Sequence, residues 1–266
     1  MVGERIALIT GGSSGLGLSI AKKLASKGYL PILVARNTEK LEQAVSLIEK
    51  AGYNASAFSA DVSKPVEVEH VAREVEKDYG EIHFLVLNAG VVHTKLLLDY
   101  DNIEALKEDI DVDLWGTVLC ARLFLPLMKS GSKVLLVSSA FALIGGAGYS
   151  TYCAAKAGVK NFGESLRREL LSKKIAVYVA CPADIDTPQY HKEIADSPSW
   201  MQSSHRNRPL SSDVAATRIL QKCRGGRFLI IINFDVMLLQ FISRIFPRRV
   251  TDLIIDHSLP RPTAKN

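Results

Sequence analysis

The chain has 266 residues, of which 47% are hydrophobic and 23% are charged, and this composition suits one large packed domain rather than a disordered chain. Its formal net charge of +5 hints at an anionic partner, but no stretch combines basic with aromatic stacking residues, so nucleic-acid binding is not predicted. The four cysteines are widely spaced and form no C-x-x-C pair, so neither a disulfide framework nor a metal site is expected.

The N-terminal sequence MVGERIALIT leads directly into a strand-like apolar run and lacks the basic and apolar regions of a signal peptide. No uninterrupted apolar run reaches the roughly 18 residues that an ordinary membrane-spanning helix needs. We therefore expect a cytoplasmic location in a reducing compartment, with any membrane association on the cytosolic face.

Short apolar runs alternate along the chain with longer segments of helical spacing. The predicted strands cover residues 5–9, 30–35, 55–60, 84–87, 133–138 and 175–180. The predicted helices cover residues 16–27, 38–51, 66–79, 102–128 and 149–172. Nearly uniformly apolar strands are typical of parallel sheets that helices cover on both faces. The alternation therefore predicts an α/β fold, a doubly wound parallel sheet of the Rossmann type, in one domain over residues 1–266.

The stretch TGGSSGLG, residues 10–17, follows the first predicted strand and has two interpretations. Its G-x-S-x-G pattern would make Ser13 the nucleophile of a hydrolase elbow, and its glycines would equally suit a turn that binds a dinucleotide phosphate. A hydrolase elbow follows a central strand, whereas here a first strand leads into the turn and then into a helix. This order favours a phosphate site at a helix N-terminus, where Ser13 donates a hydrogen bond and is not acylated.

The end of the second predicted strand reads LVARN, residues 33–37, and contains no acidic residue. Sites for NAD usually carry an acid there to bind the ribose hydroxyls. Arg36 instead places a planar guanidinium where the 2′-phosphate of NADP(H) would lie, and this fork of donors suits phosphate. The sequence therefore predicts NADP(H) as the cofactor, with a solvated surface arginine as the alternative interpretation of Arg36.

Ser139 follows the fifth predicted strand, and thirteen residues later Tyr152 and Lys156 form a Y-x-x-x-K pattern on a predicted helix. The spacing of four places both side chains on one helix face. We expect the Lys156 ammonium to favour the phenolate and so to lower the pKa of Tyr152 toward the working pH. Tyr152 could then pass a proton to or from an oxygen that Ser139 also hydrogen-bonds.

Asp61-Val62 and Asn88-Ala89-Gly90 join the glycine turn, Ser139 and the Tyr152/Lys156 pair in one pattern. This pattern resembles the short-chain dehydrogenase/reductase family over roughly residues 4–190. The resemblance implies a Rossmann-type fold and hydride transfer between a nicotinamide and a carbonyl or alcohol carbon. It makes Tyr152 the expected general acid/base, Ser139 the group that binds the substrate oxygen, and Lys156 the group that holds the nicotinamide ribose.

By position, the resemblance assigns the adenine contact to Asp61 and Val62 and the carboxamide contact to Pro182, Ile185 and Thr187. The expected cofactor-binding residues are Gly11, Ser13, Ser14, Gly15, Leu16, Arg36, Lys40, Asp61, Val62, Asn88, Ala89, Gly90, Tyr152, Lys156, Pro182, Ile185 and Thr187. The expected catalytic residues are Ser139, Tyr152, Lys156 and Asp113.

Two positions depart from the family pattern. Asp113 stands in the sequence VDLWG, where the family usually has an asparagine that helps to hold a water-linked proton path to the lysine. An aspartate can accept the same hydrogen bond but adds a negative charge, so we expect a changed pH profile rather than a loss of activity. Pro182-Ala183 replaces the usual Pro-Gly after the sixth strand, a change that we expect to be tolerated.

Residues 183–212, with several prolines and serines, predict a substrate lid over the open end of the sheet, and a surface excursion without a role is the alternative. Residues 227–234 predict a strand, and residues 234–250 an apolar helix flanked by arginines. This helix fits either a core or dimer contact or a membrane surface. The family resemblance also implies a homodimer or homotetramer through the helices at 102–128 and 149–172.

Within the family, VARN followed by Lys40-Leu41, the run DIDTP at residues 184–188 and the apolar C-terminus look like 3-ketodihydrosphingosine reductases. This resemblance implies NADPH-dependent reduction of a long-chain keto-amine, a lipid-like small molecule, at membranes. Steroid or retinoid dehydrogenases of the same family are the alternative substrate classes. A non-catalytic NADP(H)-binding sensor is the alternative outside catalysis, although a sensor has no need of Ser139, Tyr152 and Lys156.

Overall fold

A seven-stranded parallel sheet forms the centre of the computed structural model, which describes residues 4–202, 209–224 and 226–259. The strands of the chain are β1 (Arg5–Thr10), β2 (Tyr29–Ala35), β3 (Ser56–Ser59), β4 (Ile82–Leu87), β5 (Met128–Val137), β6 (Ala176–Ala180), β7 (Ile185–Asp186), β8 (Leu210–Ser211) and β9 (Leu229–Ile230). The sheet order β3-β2-β1-β4-β5-β6-β9 confirms the predicted doubly wound parallel sheet, while β7 and β8 form a separate pair.

Helices cover both faces of the sheet. They are α1 (Gly15–Ala25), α2 (Thr38–Glu49), α3 (Pro65–Tyr79), α4 (Ile103–Asp109), α5 (Gly116–Phe124), α6 (Ser150–Glu169), α7 (Pro188–Asp196), α8 (Ser199–Gln202), α9 (Ser212–Lys222), α10 (Phe234–Ile245) and α11 (Arg248–Ser258). Helices α1, α2 and α9 contribute to one buried apolar cluster, and α3, α5 and α6 contribute to the other. Strand residues alternate between the two: Leu8 and Ile32 belong to one cluster, and Ile9 and Leu33 to the other.

The helical stretch predicted over residues 102–128 is confirmed over residues 103–127, but it is not one regular α-helix. Helix α4 ends at Asp109, a π-helical turn follows over Ile110–Trp115, and α5 ends before β5 begins at Met128. A single π turn keeps apolar residues close to helical spacing, so sequence periodicity does not reveal it. The turn carries Asp113 into the interior, where its side chain is fully buried.

The predicted helix over residues 234–250 is two helices, α10 and α11, separated by Phe246-Pro247. Phe246 has a ψ of 149°, the extended conformation that a following proline favours. Pro247 also lacks the amide N–H that a continuous helix would need. Among the residues that the structure describes, no helix combines the length and the apolar character needed to cross a membrane.

The segment predicted as a lid, residues 183–212, is anchored at both ends because β7 and β8 pair in parallel, with Ile185 opposite Leu210. Between these strands, α8 packs on the loop before α6: a Cβ on Gly148 would lie 2.9 Å from the sulfur of the buried Met201. Residues 203–208 of the segment lie outside the described residues. The function of the segment as a lid stays a prediction, and α9, which follows it, is absent from the sequence prediction.

Candidate active site

The turn between β1 and α1 presents backbone N–H groups at the carboxyl edge of the sheet. Gly11 and Gly15 have φ values of 65° and 53°, which favour glycine. A Cβ on Gly17 would lie 2.2 Å from the backbone oxygen of Gly11, so a glycine is needed for α1 to start this close to the turn. Ser14, at the N-cap of α1, forms no side-chain cap hydrogen bond. The first N–H groups of the helix can therefore bind an anion.

Asn88 fixes this turn to the end of β4. Its Nδ2 donates to the backbone oxygens of Thr10 at 3.1 Å and Gly11 at 3.3 Å. In return, the hydroxyl oxygen of Thr10 accepts from the backbone N–H groups of Asn88 and Ala89, at 2.9 and 3.1 Å. These bonds hold the glycine turn and the loop after β4 as one rigid edge.

One cavity of about 500 Å³ runs along this edge, a volume in the range of ligand and cofactor sites. Every residue predicted to bind the cofactor lines it, from Gly11 in the first turn to Thr187 before α7, and so does Ser139. Asp113 is the one predicted site residue that is not among the lining residues. It lies beneath the cavity, in contact with Lys156.

Arg36 and Lys40 line the cavity where β2 passes into α2. The Arg36 guanidinium lies 3.7 Å from a carboxylate oxygen of Glu108, and the two side chains are 54% and 42% exposed. An exposed pair at this distance contributes little energy, so it does not prevent Arg36 from binding a phosphate. Strands β1 and β4 lie between β2 and β5. Because neighbouring strands are about 4.8 Å apart, Arg36 and Lys40 at the end of β2 lie more than about 10 Å from Ser139 at the end of β5.

Tyr152 and Lys156 lie on α6 beside the end of β5. The Lys156 ammonium is 5.5 Å from the centre of the Tyr152 ring and 3.5 Å from the backbone oxygen of Val137. The hydroxyl of Ser138 donates to the backbone oxygen of Lys156 at 2.7 Å, which fixes α6 to the strand. Ser139 hydrogen-bonds Tyr152 and accepts from the N–H of the second residue after it at 3.2 Å.

Asp113 forms a buried ion pair with Lys156. Its Oδ2 lies 2.8 Å from the Lys156 ammonium, and its Oδ1 accepts from the N–H of Val91 at 2.7 Å. A Cβ on Gly90 would lie 3.0 Å from the ammonium and 3.1 Å from the carboxylate, so the missing side chain leaves room for the pair. Sequence reasoning selected Asp113 as a water-binding group and missed this direct contact, because it depends on the π turn.

The pKa of Tyr152 is raised well above its ordinary value, which is the opposite of the direction expected from the sequence. Burial of the phenol is the largest cause, and the negative charge of Asp113 adds to it, whereas the hydrogen bond with Ser139 acts in the other direction. Burial also raises the pKa of Asp113 against the lowering effect of Lys156. Tyr152 therefore keeps its proton at neutral pH in this structure.

The cavity around Tyr152 includes residues that sequence reasoning missed. Phe141 and Ile144 supply apolar surface, Leu259 after α11 adds to the lining, and Asp184 and Glu193 supply carboxylates. These residues come from separate segments, so no local pattern identifies them together. A parallel sheet that carries an anion-binding turn and a Ser–Tyr–Lys group at one cavity is the arrangement of a dinucleotide-dependent oxidoreductase.

Comparison with known proteins gives the same class. The profile of the short chain dehydrogenase family matches residues 5–198. A 3-dehydrosphinganine reductase of Arabidopsis thaliana is 32% identical over 246 residues, which are 90% of this chain and 73% of the relative. A 3-oxoacyl-(acyl-carrier-protein) reductase of Bos taurus is 34% identical over 186 residues, 69% of this chain and 77% of the relative.

A similar solved structure is a short chain dehydrogenase from Burkholderia cenocepacia J2315 in complex with NADP. It superposes with a TM-score of 0.77 at 25% identity and covers 86% of this chain and 96% of its own. The chain belongs to the short chain dehydrogenase family, and it is an oxidoreductase of that family. The family resemblance predicted from the sequence is confirmed.

Proposed function

We propose that the protein uses NADPH to reduce a long-chain, lipid-like ketone to a secondary alcohol, and that 3-ketodihydrosphingosine, also called 3-dehydrosphinganine, is a substrate. The observation that carries the proposal is the phenol of Tyr152 hydrogen-bonded to Ser139 in a cavity where Phe141 and Ile144 supply apolar surface. Two 3-dehydrosphinganine reductases match 90% of this chain at 32% identity, and an acyl-carrier-protein relative matches 69%. A retinol dehydrogenase of Mus musculus matches 96% at the lower identity of 29%.

The residues at the cavity fit NADP(H). The glycine turn and the N-terminus of α1 would hold the pyrophosphate, with Ser13 and Ser14 as hydroxyl donors. Arg36 would bind the 2′-phosphate together with Lys40, and residues 33–37 at the end of β2 include no acidic residue that would bind the ribose hydroxyls of NAD instead. Lys156 would hold the nicotinamide ribose. The bound cofactor supplies the hydride that the carbonyl carbon receives.

Ser139 and Tyr152 complete the reduction at the carbonyl oxygen. The Ser139 hydroxyl donates a hydrogen bond to this oxygen and orients the ketone. As the carbon gains the hydride, the phenol of Tyr152 donates its proton to the oxygen, so that the ketone becomes an alcohol and Tyr152 a phenolate. Its raised pKa keeps the phenol protonated before the reaction, which suits ketone reduction at neutral pH. The ammonium of Lys156, which Asp113 holds in place, lies beside this phenol.

The purified protein should oxidise NADPH with 3-ketodihydrosphingosine faster than with an acyl-carrier thioester or with members of a steroid and retinoid panel. Tyr152→Phe should abolish turnover and retain NADPH binding. This result is expected of an enzyme, whereas a protein that only senses the cofactor would lose nothing measurable. Absence of turnover with the sphingoid ketone would remove the proposed substrate. A Tyr152→Phe variant with unchanged turnover would remove the proposed proton donor.

The C-terminal helices favour a second element of the proposal, peripheral contact with a membrane. Helix α10 exposes Phe241 to 61%, and α11 exposes Leu253 to 62%. Arg244 and Arg249 lie beside these apolar residues, as expected of a helix at an anionic lipid surface. Leu259, which follows α11, lines the cavity, so this surface adjoins the place where a lipid-like ketone would enter.

A further inference from the structure

Glu193 brings a carboxylate from α7 to the cavity around Tyr152. Its Oε1 accepts a hydrogen bond from the hydroxyl of Tyr149 at 2.5 Å. The Tyr149 ring lies 4.5 Å from that of Phe141 and 6.2 Å from that of Tyr152, measured between ring centres. Since these aromatic side chains pack on one another, they hold the carboxylate at a fixed place beside the proton donor.

The charges that face this part of the cavity are negative. Asp184 also lines it, and its charge acts on Glu193. Among the described lining residues, the lysines and arginines are Arg36, Lys40 and Lys156. The first two lie at the end of β2, and Lys156 already pairs with Asp113. None of these three basic side chains therefore pairs with Glu193. A partly buried carboxylate without a basic partner attracts a cation and repels an anion.

The protonation of Glu193 agrees with this electrostatic setting. Burial, with a contribution from the charge of Asp184, raises the pKa of Glu193 to about 7, although the bond from Tyr149 lowers it. Oε2 of Glu193 carries no hydrogen bond from the described residues, so it can accept one from a ligand. An ammonium at this position would stabilise the charged carboxylate.

We propose, on the basis of the function proposed above, that Glu193 binds the ammonium group of an amino ketone and so selects keto-amines over neutral ketones and anionic thioesters. The ketone oxygen lies at Ser139 and Tyr152, and an amine on a carbon next to the carbonyl reaches Glu193. The hydrocarbon chain lies along the apolar surface of Phe141 and Ile144. Glu193 is thus a specificity-determining residue that touches the substrate without taking part in proton transfer to the ketone.

The test compares two ketones of equal chain length, 3-ketodihydrosphingosine and its counterpart without the amino group. For Glu193→Gln, kcat/KM with the keto-amine should fall about 10- to 100-fold, the range of a hydrogen bond between charged groups. The value with the amine-free ketone should stay within about threefold of the wild type, since it makes no such bond. Glu193→Asp, which keeps the charge, should recover part of the preference.

Asp196→Asn is the matched control, because Asp196 is an exposed carboxylate on the same helix and does not line the cavity. It should leave both values unchanged, and an unchanged KM for NADPH in every variant shows that the site is folded. A wild type that reduces both ketones equally well, or a Glu193→Gln variant that loses both equally, overturns the role of Glu193 and leaves ketone reduction standing. A wild type that reduces neither ketone overturns the proposed function, and the role of Glu193 falls with it.

Discussion

The ammonium of Lys156 lies 2.8 Å from Oδ2 of Asp113, and the two side chains are 6% and 0% exposed. An ion pair this deeply buried fixes the position of both groups, and removing either partner leaves an uncompensated charge in the interior. The pair also offsets the positive charge of Lys156 near Tyr152, and the negative charge of Asp113 contributes to the raised pKa of the phenol. The lysine of this site therefore acts within a pair, and not as an isolated cation.

Asp113→Asn should move the pH profile of ketone reduction to lower pH. Reduction requires the protonated phenol, so kcat/KM falls as the pH rises through the pKa of Tyr152. The negative charge of Asp113 raises the pKa of Tyr152, so a neutral asparagine at this position should lower that pKa. The loss of activity at alkaline pH should then begin at a lower pH. We expect the rate at the optimum to stay within about tenfold of the wild type.

The measurement is kcat/KM from pH 6 to the highest pH at which the protein stays folded. Asp111→Asn is the matched control, since Asp111 lies in the same π turn but is 36% exposed and pairs with Lys107. The control should keep the wild-type profile. An identical profile for Asp113→Asn would contradict the charge effect of Asp113 on Tyr152.

Arg36→Ala should reduce kcat/KM with NADPH about 10- to 100-fold, because a charge-assisted hydrogen bond to phosphate is lost. The value with NADH should change little, since that cofactor has no 2′-phosphate. Lys50→Ala, at the other end of α2 and exposed, is the control for a lost surface charge. A wild type that prefers NADH, or equal losses with both cofactors, would refute the assignment of Arg36 to the 2′-phosphate.

Gly17→Ala should lower the free energy of unfolding by about 3 kcal/mol or more, at the upper end of the cost of overpacking. The added Cβ would lie 2.2 Å from the backbone oxygen of Gly11, which cannot move aside as a flexible side chain can. NADPH binding should weaken with it, because the turn and the start of α1 separate. Urea denaturation and cofactor titration measure the two effects. Gly226→Ala, where a Cβ meets no atom within 4 Å, should be close to neutral.

Local sequence patterns were sufficient for the parts of the site that a single segment supplies. The glycine turn is set by the order of strand, glycines and helix, and the spacing of Tyr152 and Lys156 places both on one face of α6. The position of Ser139 follows from the rule that parallel strands present ligands at their carboxyl ends. Because these features are local or depend on general rules of sheet topology, they can be predicted without knowledge of tertiary packing.

Contacts between distant segments were not predictable in the same way. Tyr149 and Glu193 are 44 positions apart and meet because α7 folds back over the loop before α6. The contact of Asp113 with Lys156 needs the π turn, whose apolar pattern resembles that of an ordinary helix. The direction of the Tyr152 pKa depends on burial as well as on the nearby charges, and burial is known only once the segments are packed.

The membrane contact predicts that the protein sediments with vesicles that contain anionic phosphatidylserine and less with neutral vesicles, with the difference reduced by salt. Replacing Phe241 and Leu253 together by asparagine should weaken binding by about 100-fold or more, since each apolar side chain that enters lipid contributes about 1.5–3 kcal/mol. The turnover of a short-chain, water-soluble ketone should be unchanged. Leu47→Asn, which removes a 46% exposed leucine from α2, should bind vesicles as the wild type does. Equal sedimentation of the double variant and the wild type would place the contact elsewhere, and a wild type that binds neither vesicle would show that α10 and α11 do not dock on lipid.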